Sequence, residues 1–140
     1  MRTPLLACLS TLSALVAALT LLAQPAPAAP VGPVPADAGC TASLTERLTH
    51  GDLAPVRVLG CDPAGRGRAV LALGDPATAA HVAVLVPGSD IDLTTLDDAV
   101  HPDRRPLGWA RALSAQAGPA TAVVLWVGYP TPQGLSLIHI

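Results

Sequence analysis

Phenylalanine, lysine and asparagine are all absent from this 140-residue chain, and its aromatic side chains are limited to Trp109, Trp126 and Tyr129. A core assembled without large aromatic anchors has to be made from Ala, Val and Leu, so it needs many packed elements to exclude water. All eight basic residues are Arg and the net charge is −2. With no basic cluster, nothing recommends nucleic acid as a partner. Missing Lys and Asn beside abundant Ala, Pro and Gly reads as the mark of a GC-rich coding sequence rather than of a function. His81 and His101 have no companion at metal-ligand spacing and are read as structural or surface residues, so neither a metal nor another cofactor is expected. The length allows one domain at most.

Against these absences the N-terminus is distinctive. Arg2 precedes an apolar run, Leu5–Leu22, which leads to small residues at Ala26-Pro27-Ala28. That is the layout of a cleavable secretory signal peptide over residues 1–28, leaving Ala29 as the mature N-terminus and a secreted product. The alternative is an uncleaved membrane anchor, but Ser10, Thr11, Ser13 and Thr20 dilute the run. Membrane contact is then expected during export alone. Residues 29–52 read as a Pro/Ala-rich leader followed by a short helix. Gln24–Ala38 is stiff and extended, and Thr41–Leu53 is helical, with Ser43 and Glu46 at capping-box spacing and an end near Gly51. Cys40 and Cys61 are the two cysteines left after cleavage. In an exported chain an even pair favours a disulfide, worth ~3 kcal/mol for a loop of this length; the alternative is two separate buried thiols.

Residues 53–134 carry the folded domain. Val56–Leu59 predicts a short strand. Cys61-Asp62-Pro63-Ala64-Gly65-Arg66-Gly67 is turn chemistry, and Arg68–Leu73 is the returning strand. Gly65-x-Gly67 lacks the third Gly and the helix of a phosphate loop, so a hairpin explains it better. The five apolar residues Val82–Val86, bounded by Pro87-Gly88-Ser89, predict a strand over 81–86 buried on both faces. Gly74–Ala80 is too short for a parallel crossover, so strand 68–73 runs antiparallel to 81–86. Pro106–Ala117, stopped by Gly118-Pro119, supplies a crossover helix, and Thr121–Val127 a second Val-rich buried strand parallel to 81–86. Asp90, Asp92, Asp97, Asp98 and Asp103 lack the Gly and closing Glu of a calcium loop. They are read as solvated loop charge, with Asp97-Asp98 in the first turn of a short helix.

Short strands with one antiparallel member, followed by βαβ, look like the front of an α/β hydrolase. The blocks Asp62–Ala69, His81–Gly88 and Trp126-Val127-Gly128-Tyr129 resemble an exported actinobacterial branch of that superfamily, known as a domain of unknown function. The similarity covers about Leu53 to Gln133. It implies an α/β fold of which this chain is the incomplete N-terminal part, and a serine hydrolase of small esters or amides. In that fold the turn after the third strand supplies an oxyanion-hole N–H. Carried over by position, Gly88 and Ser89 occupy that turn, with the Ser89 N–H favoured as donor, and Tyr129 is a pocket-lining candidate. No Gly-x-Ser-x-Gly elbow occurs, and Ser89 has no downstream acid and His to activate it. His139 cannot serve, and catalytic residues are therefore assigned to none of the chain. Leu135–Ile140 holds two of the three Ile residues and resembles the translation of a transposon-end sequencing adaptor, so 135–140 is read as a non-native tail. The expectation is a truncated hydrolase, inactive as written; the alternative is a secreted binding or structural module that never had a nucleophile.

Overall fold

In the computed structural model, residues 33–49 and 55–134 are described. The signal peptide, Gly51, the tail 135–140 and His139 lie outside the described residues. The elements are helix α1 (Ala38–Leu48), strands β1 (Val56–Asp62), β2 (Arg68–Leu73) and β3 (His81–Leu85), a 3-10 turn at Pro102–Arg104, helix α2 (Pro106–Ala117) and strand β4 (Thr121–Val127). They form a mixed α/β sheet in the order β1-β2-β4-β3. β1 and β2 make an antiparallel hairpin and β2 is antiparallel to β4. β4 is parallel to β3, as the crossover through α2 requires.

Register decides the core. Leu71, Leu125 and Leu85 line up across three strands, as do Leu73, Val123 and Ala83. This face meets Leu44 and Leu48 of α1 and Leu107 and Ala110 of α2, with Leu96 and Ile91 from the connection between β3 and α2. Small aliphatic side chains thus fill the core by number rather than by size. Gly108 sits on the inner approach of α2, where a Cβ would overlap the Pro102 carbonyl. The absent side chain lets the 3-10 turn fold tightly back onto the helix.

Several expectations need correction. Strand 81–86 is not buried on both faces. β3 is the edge strand, and Val82, Val84 and Val86 are exposed, Val84 by 61%. Both helices pack on the core face; among the described residues none covers the other face, where Val124 and Trp126 are half-buried beside Val84. The helix read over Thr41–Leu53 starts earlier, at Ala38, because Asp37 rather than Ser43 caps it: Asp37 Oδ1 accepts from Cys40 N–H at 2.7 Å. It ends at Leu48, where the Thr49 N–H bonds back to Thr45 O. The end of the extended leader is docked rather than free, since Cys61 N–H donates to Pro35 O and Asp37 N–H to Cys61 O. These bonds, with pairing to Ala69 and Arg68, carry β1 through Cys61 and Asp62, beyond the expected end at Leu59. Asp97-Asp98 open no helix. The Asp98 carboxylate accepts from the N–H groups of Val100 and His101 and turns the chain toward Pro102.

Candidate functional site

The C-terminal ends of β3 and β4 lie at the same end of the sheet as the tip of the β1–β2 hairpin, because Ala69 pairs with Val127. Three segments meet there. The hairpin turn is closed by Gly67 N–H to Ala64 O, with Gly65 and Gly67 both at positive φ. At its base the Arg68 guanidinium grips Asp62 through Nε at 3.0 Å and Nη2 at 2.6 Å. Gly67 has a second use: a Cβ there would collide with Leu93, so its absence lets the loop after β3 close on the hairpin.

That loop is the centre of the site. Asp92 is just 2% exposed, which corrects its reading as solvated charge. Its carboxylate accepts from Thr94 N–H at 2.8 Å and Thr94 Oγ1–H at 2.6 Å, and is paired to Arg66 of the hairpin. Burial opposes ionisation of Asp92, but the two Thr94 hydrogen bonds and Arg66 together outweigh it and hold the carboxyl below its ordinary range. Arg47 of α1 ties the same loop from the other side, donating to Leu93 O at 2.7 Å and pairing with Asp97 at 3.0 Å.

The segment after β4 closes the third side. Tyr129 OH donates to Pro87 O at 2.7 Å, and Asp90 N–H donates to Pro132 O at 2.9 Å. Thr131 Oγ1–H reaches Ile91 O at 2.7 Å and Gly134 N–H reaches Asp90 Oδ1 at 2.6 Å. Asp90 is the one non-glycine residue with positive φ (62°) among those described, and these contacts hold it there. Tyr129 also stacks on Trp126, with ring centroids 5.8 Å apart. An open cavity of about 340 Å³ lies between hairpin and post-β4 segment, lined among others by Arg66, Asp92, Tyr129 and Gln133. Gly88 and Ser89 do not line it.

The structure therefore puts Pro87–Asp90 between two pinned ends. Gly88 is exposed and Ser89 half-buried. No hydrogen bond engages the N–H of either among the described residues. Ser89 has no base bonded to it there either. His81 and His101 are both exposed. Among the described residues no cluster of three or more His, Cys, Asp or Glu could hold a metal ion. Cys40 and Cys61 are joined in a disulfide with Cα atoms 5.6 Å apart, behind the hairpin and remote in role from the turn. Reasoning from sequence overlooked Asp92, Arg66 and Thr131 as the clamps of this loop. The signal was present in Asp92-x-Thr94-Thr95, a pattern in which an acid accepts from the residue two positions on.

The acid behaviour of the loop follows. A carboxyl depressed in the folded state stabilises above its unfolded pKa, near 3.9, and that contribution is lost as pH falls through the lower folded value. Unfolding midpoints in urea are expected to fall as pH drops below about 4, and Asp92→Asn is expected to lessen that fall, leaving the share of Asp62, Asp75 and Asp98, which are also held low. An unchanged fall would remove Asp92 from the clamp.

An α/β hydrolase family model matches residues 62–139. Two uncharacterized proteins of Mycobacterium tuberculosis, from strains H37Rv and CDC 1551 / Oshkosh, are each 41% identical over 83 residues, covering 56% of this chain. The chain spans 12% of the length of these relatives. No solved structure matches it significantly. The family match covers more than half of the chain, over the hairpin turn and β2, the parallel pair and the clamped turn, and this chain belongs to the α/β hydrolase family.

Proposed function

We propose that this chain is the N-terminal part of an exported serine hydrolase of small esters or amides, in which the turn Pro87–Asp90 stabilises the oxyanion. The observation that carries the reading is the pair of unengaged N–H groups, Gly88 and Ser89, on a turn fixed at both ends past a parallel strand. In α/β sheets ligands bind outside the carboxyl ends of such strands. When a nucleophile adds to the substrate carbonyl, negative charge gathers on its oxygen. Donors already aimed there need no reorganisation, and removal of one typically costs ~3 kcal/mol of barrier lowering. The nucleophile, acid and His belong to sequence beyond this chain, since a turn without them can polarise a carbonyl and cannot attack it.

Two further observations support a partial domain. Among the described residues the edge of β3 is unpaired and an apolar sheet face stands open beside it, the state expected of a sheet lacking further strands and a second helical layer. Export is supported by the signal-peptide layout of residues 1–28 and by the Cys40–Cys61 bond, which suits an oxidising compartment. Partners are then a small-molecule ester or amide, no nucleic acid, and the membrane through the signal peptide alone. A fluorophosphonate probe tests the reading on the 140-residue chain and on the full-length protein of the parent gene. Labelling is expected in the full-length protein, at a serine outside these residues. Labelling of Ser89 in the short chain would sink the proposal, and an unlabelled full-length protein would favour a non-catalytic module.

A further inference from the structure

We propose that Tyr129 is a positioning residue for the oxyanion site: by holding the Pro87 carbonyl it aims the Gly88 N–H, which serves as a donor beside that of Ser89. The inference rests on the reading of Pro87–Asp90 as the oxyanion turn and deepens it.

The argument begins with peptide geometry. No cis peptide bond occurs among the described residues, and in a trans peptide the C=O and the following N–H point in opposite directions from one rigid plane. Whatever fixes the Pro87 oxygen therefore fixes the Gly88 hydrogen. Tyr129 OH does so at 2.7 Å, across 42 residues of chain. The Gly88 side of this peptide adds no side-chain restraint. Gly88 has no side chain, and a Cβ built on it meets no atom within 4 Å. The tyrosine ring is in turn held by its stack on Trp126 of β4, so the hydroxyl is delivered from the sheet itself. At the far end of the turn, Asp90 N–H is committed to Pro132 O. The two committed groups bracket two uncommitted ones. A tyrosine used purely for packing would need no carbonyl at this point of the chain, and the carbonyl it takes belongs to the peptide whose N–H matters.

The test uses the full-length protein and the variant Tyr129→Phe, which keeps the ring and its stack and removes the hydroxyl alone. Sites are counted by fluorophosphonate titration, so that kcat is expressed per competent molecule. With a p-nitrophenyl ester, kcat is expected to fall about tenfold, less than the ~100-fold or more that follows outright loss of a donor, while KM stays the same. Affinity for phenylboronic acid should fall in parallel. Its boron takes up the nucleophile's oxygen, the displaced proton passing to the base, and the resulting tetrahedral anion needs the same donors. An unchanged kcat and boronate affinity in Tyr129→Phe would overturn the role of Tyr129. The underlying reading is measured separately, in the unaltered protein, by whether the boronate slows hydrogen exchange at the amides of residues 88 and 89. Protection with no Tyr129→Phe effect leaves the oxyanion turn standing and removes the tyrosine; absence of protection, or of any titratable site, removes both.

Discussion

Val84→Lys in the 140-residue chain is expected to convert an aggregating polypeptide into a largely monomeric one, with little change in the stability of the fold. Val84 is 61% exposed and Val82 47% exposed on β3, and among the described residues the outer backbone N–H and C=O groups of that strand have no partner strand. An apolar edge of this kind templates pairing with a second chain, and a charge placed on it opposes that pairing. The core is untouched, because Val84 points to the face opposite Ala83 and Leu85, which pack against the buried cluster. A change at an exposed site of this kind shifts unfolding free energy by no more than about 0.5 kcal/mol. In the full-length protein the sign reverses. If further elements cover the face, the same lysine is forced into an apolar contact and costs about 3 kcal/mol or more. Light scattering and size exclusion read the first effect, and denaturant titration the second. Equal tolerance of Val84→Lys in both proteins would mean that the face is ordinary surface, and the partial-domain reading would fall.

Loss of the Cys40–Cys61 bond carries the other large effect. Cys40→Ser is expected to lower stability by about 3 kcal/mol, the value for a closed loop of this size, where the cysteines are 21 residues apart. Without the bond, α1 keeps two fully seated side chains, Leu44 and Leu48, together with the Asp37 cap and the Arg47 contacts to the loop after β3. Release should therefore begin at α1 and spread to Leu93 and Asp97, with faster amide exchange there before the β2–β4 ladder is affected. Reductant added to the unaltered protein should reproduce the loss. Two free thiols from these cysteines in the unreduced, unfolded protein would refute the bond.

Much of the scaffold could be read directly from residue order. Strand Arg68–Leu73, helix Pro106–Ala117 and strand Thr121–Val127 occur at the expected bounds, because each is framed by Gly or Pro and differs in period from its neighbours. The parallel and antiparallel relations followed from the lengths of the connections. What could not be read depends on partners distant in sequence. Val82–Val86 is as apolar as β4, yet β4 has a strand on each side and β3 has one; hydrophobicity tells what a segment could bury, while sheet order decides what it does bury. Asp92 looked like one more loop acid because its burial depends on Arg66, 26 residues earlier. For the site, Gly88, Ser89 and Tyr129 were placed by resemblance, whereas the hydrogen bonds that pin the turn, from Tyr129 to Pro87 and between 131–134 and Asp90 and Ile91, required coordinates.

The order of the sheet also sets a timetable for folding. β1 and β2 are joined by a five-residue turn and can pair as soon as both exist. β3 has no neighbour until β4 arrives 40 residues after its start, since His81 pairs with Thr121. β4 then completes two ladders at once, with β2 and with β3. Contacts that close long stretches of chain form late, after the entropy of closure has been met. The nascent polypeptide thus holds a Val-rich strand open for the whole interval in which α2 is made, and a pause in synthesis before Thr121 would prolong exposure of the segment most prone to self-association.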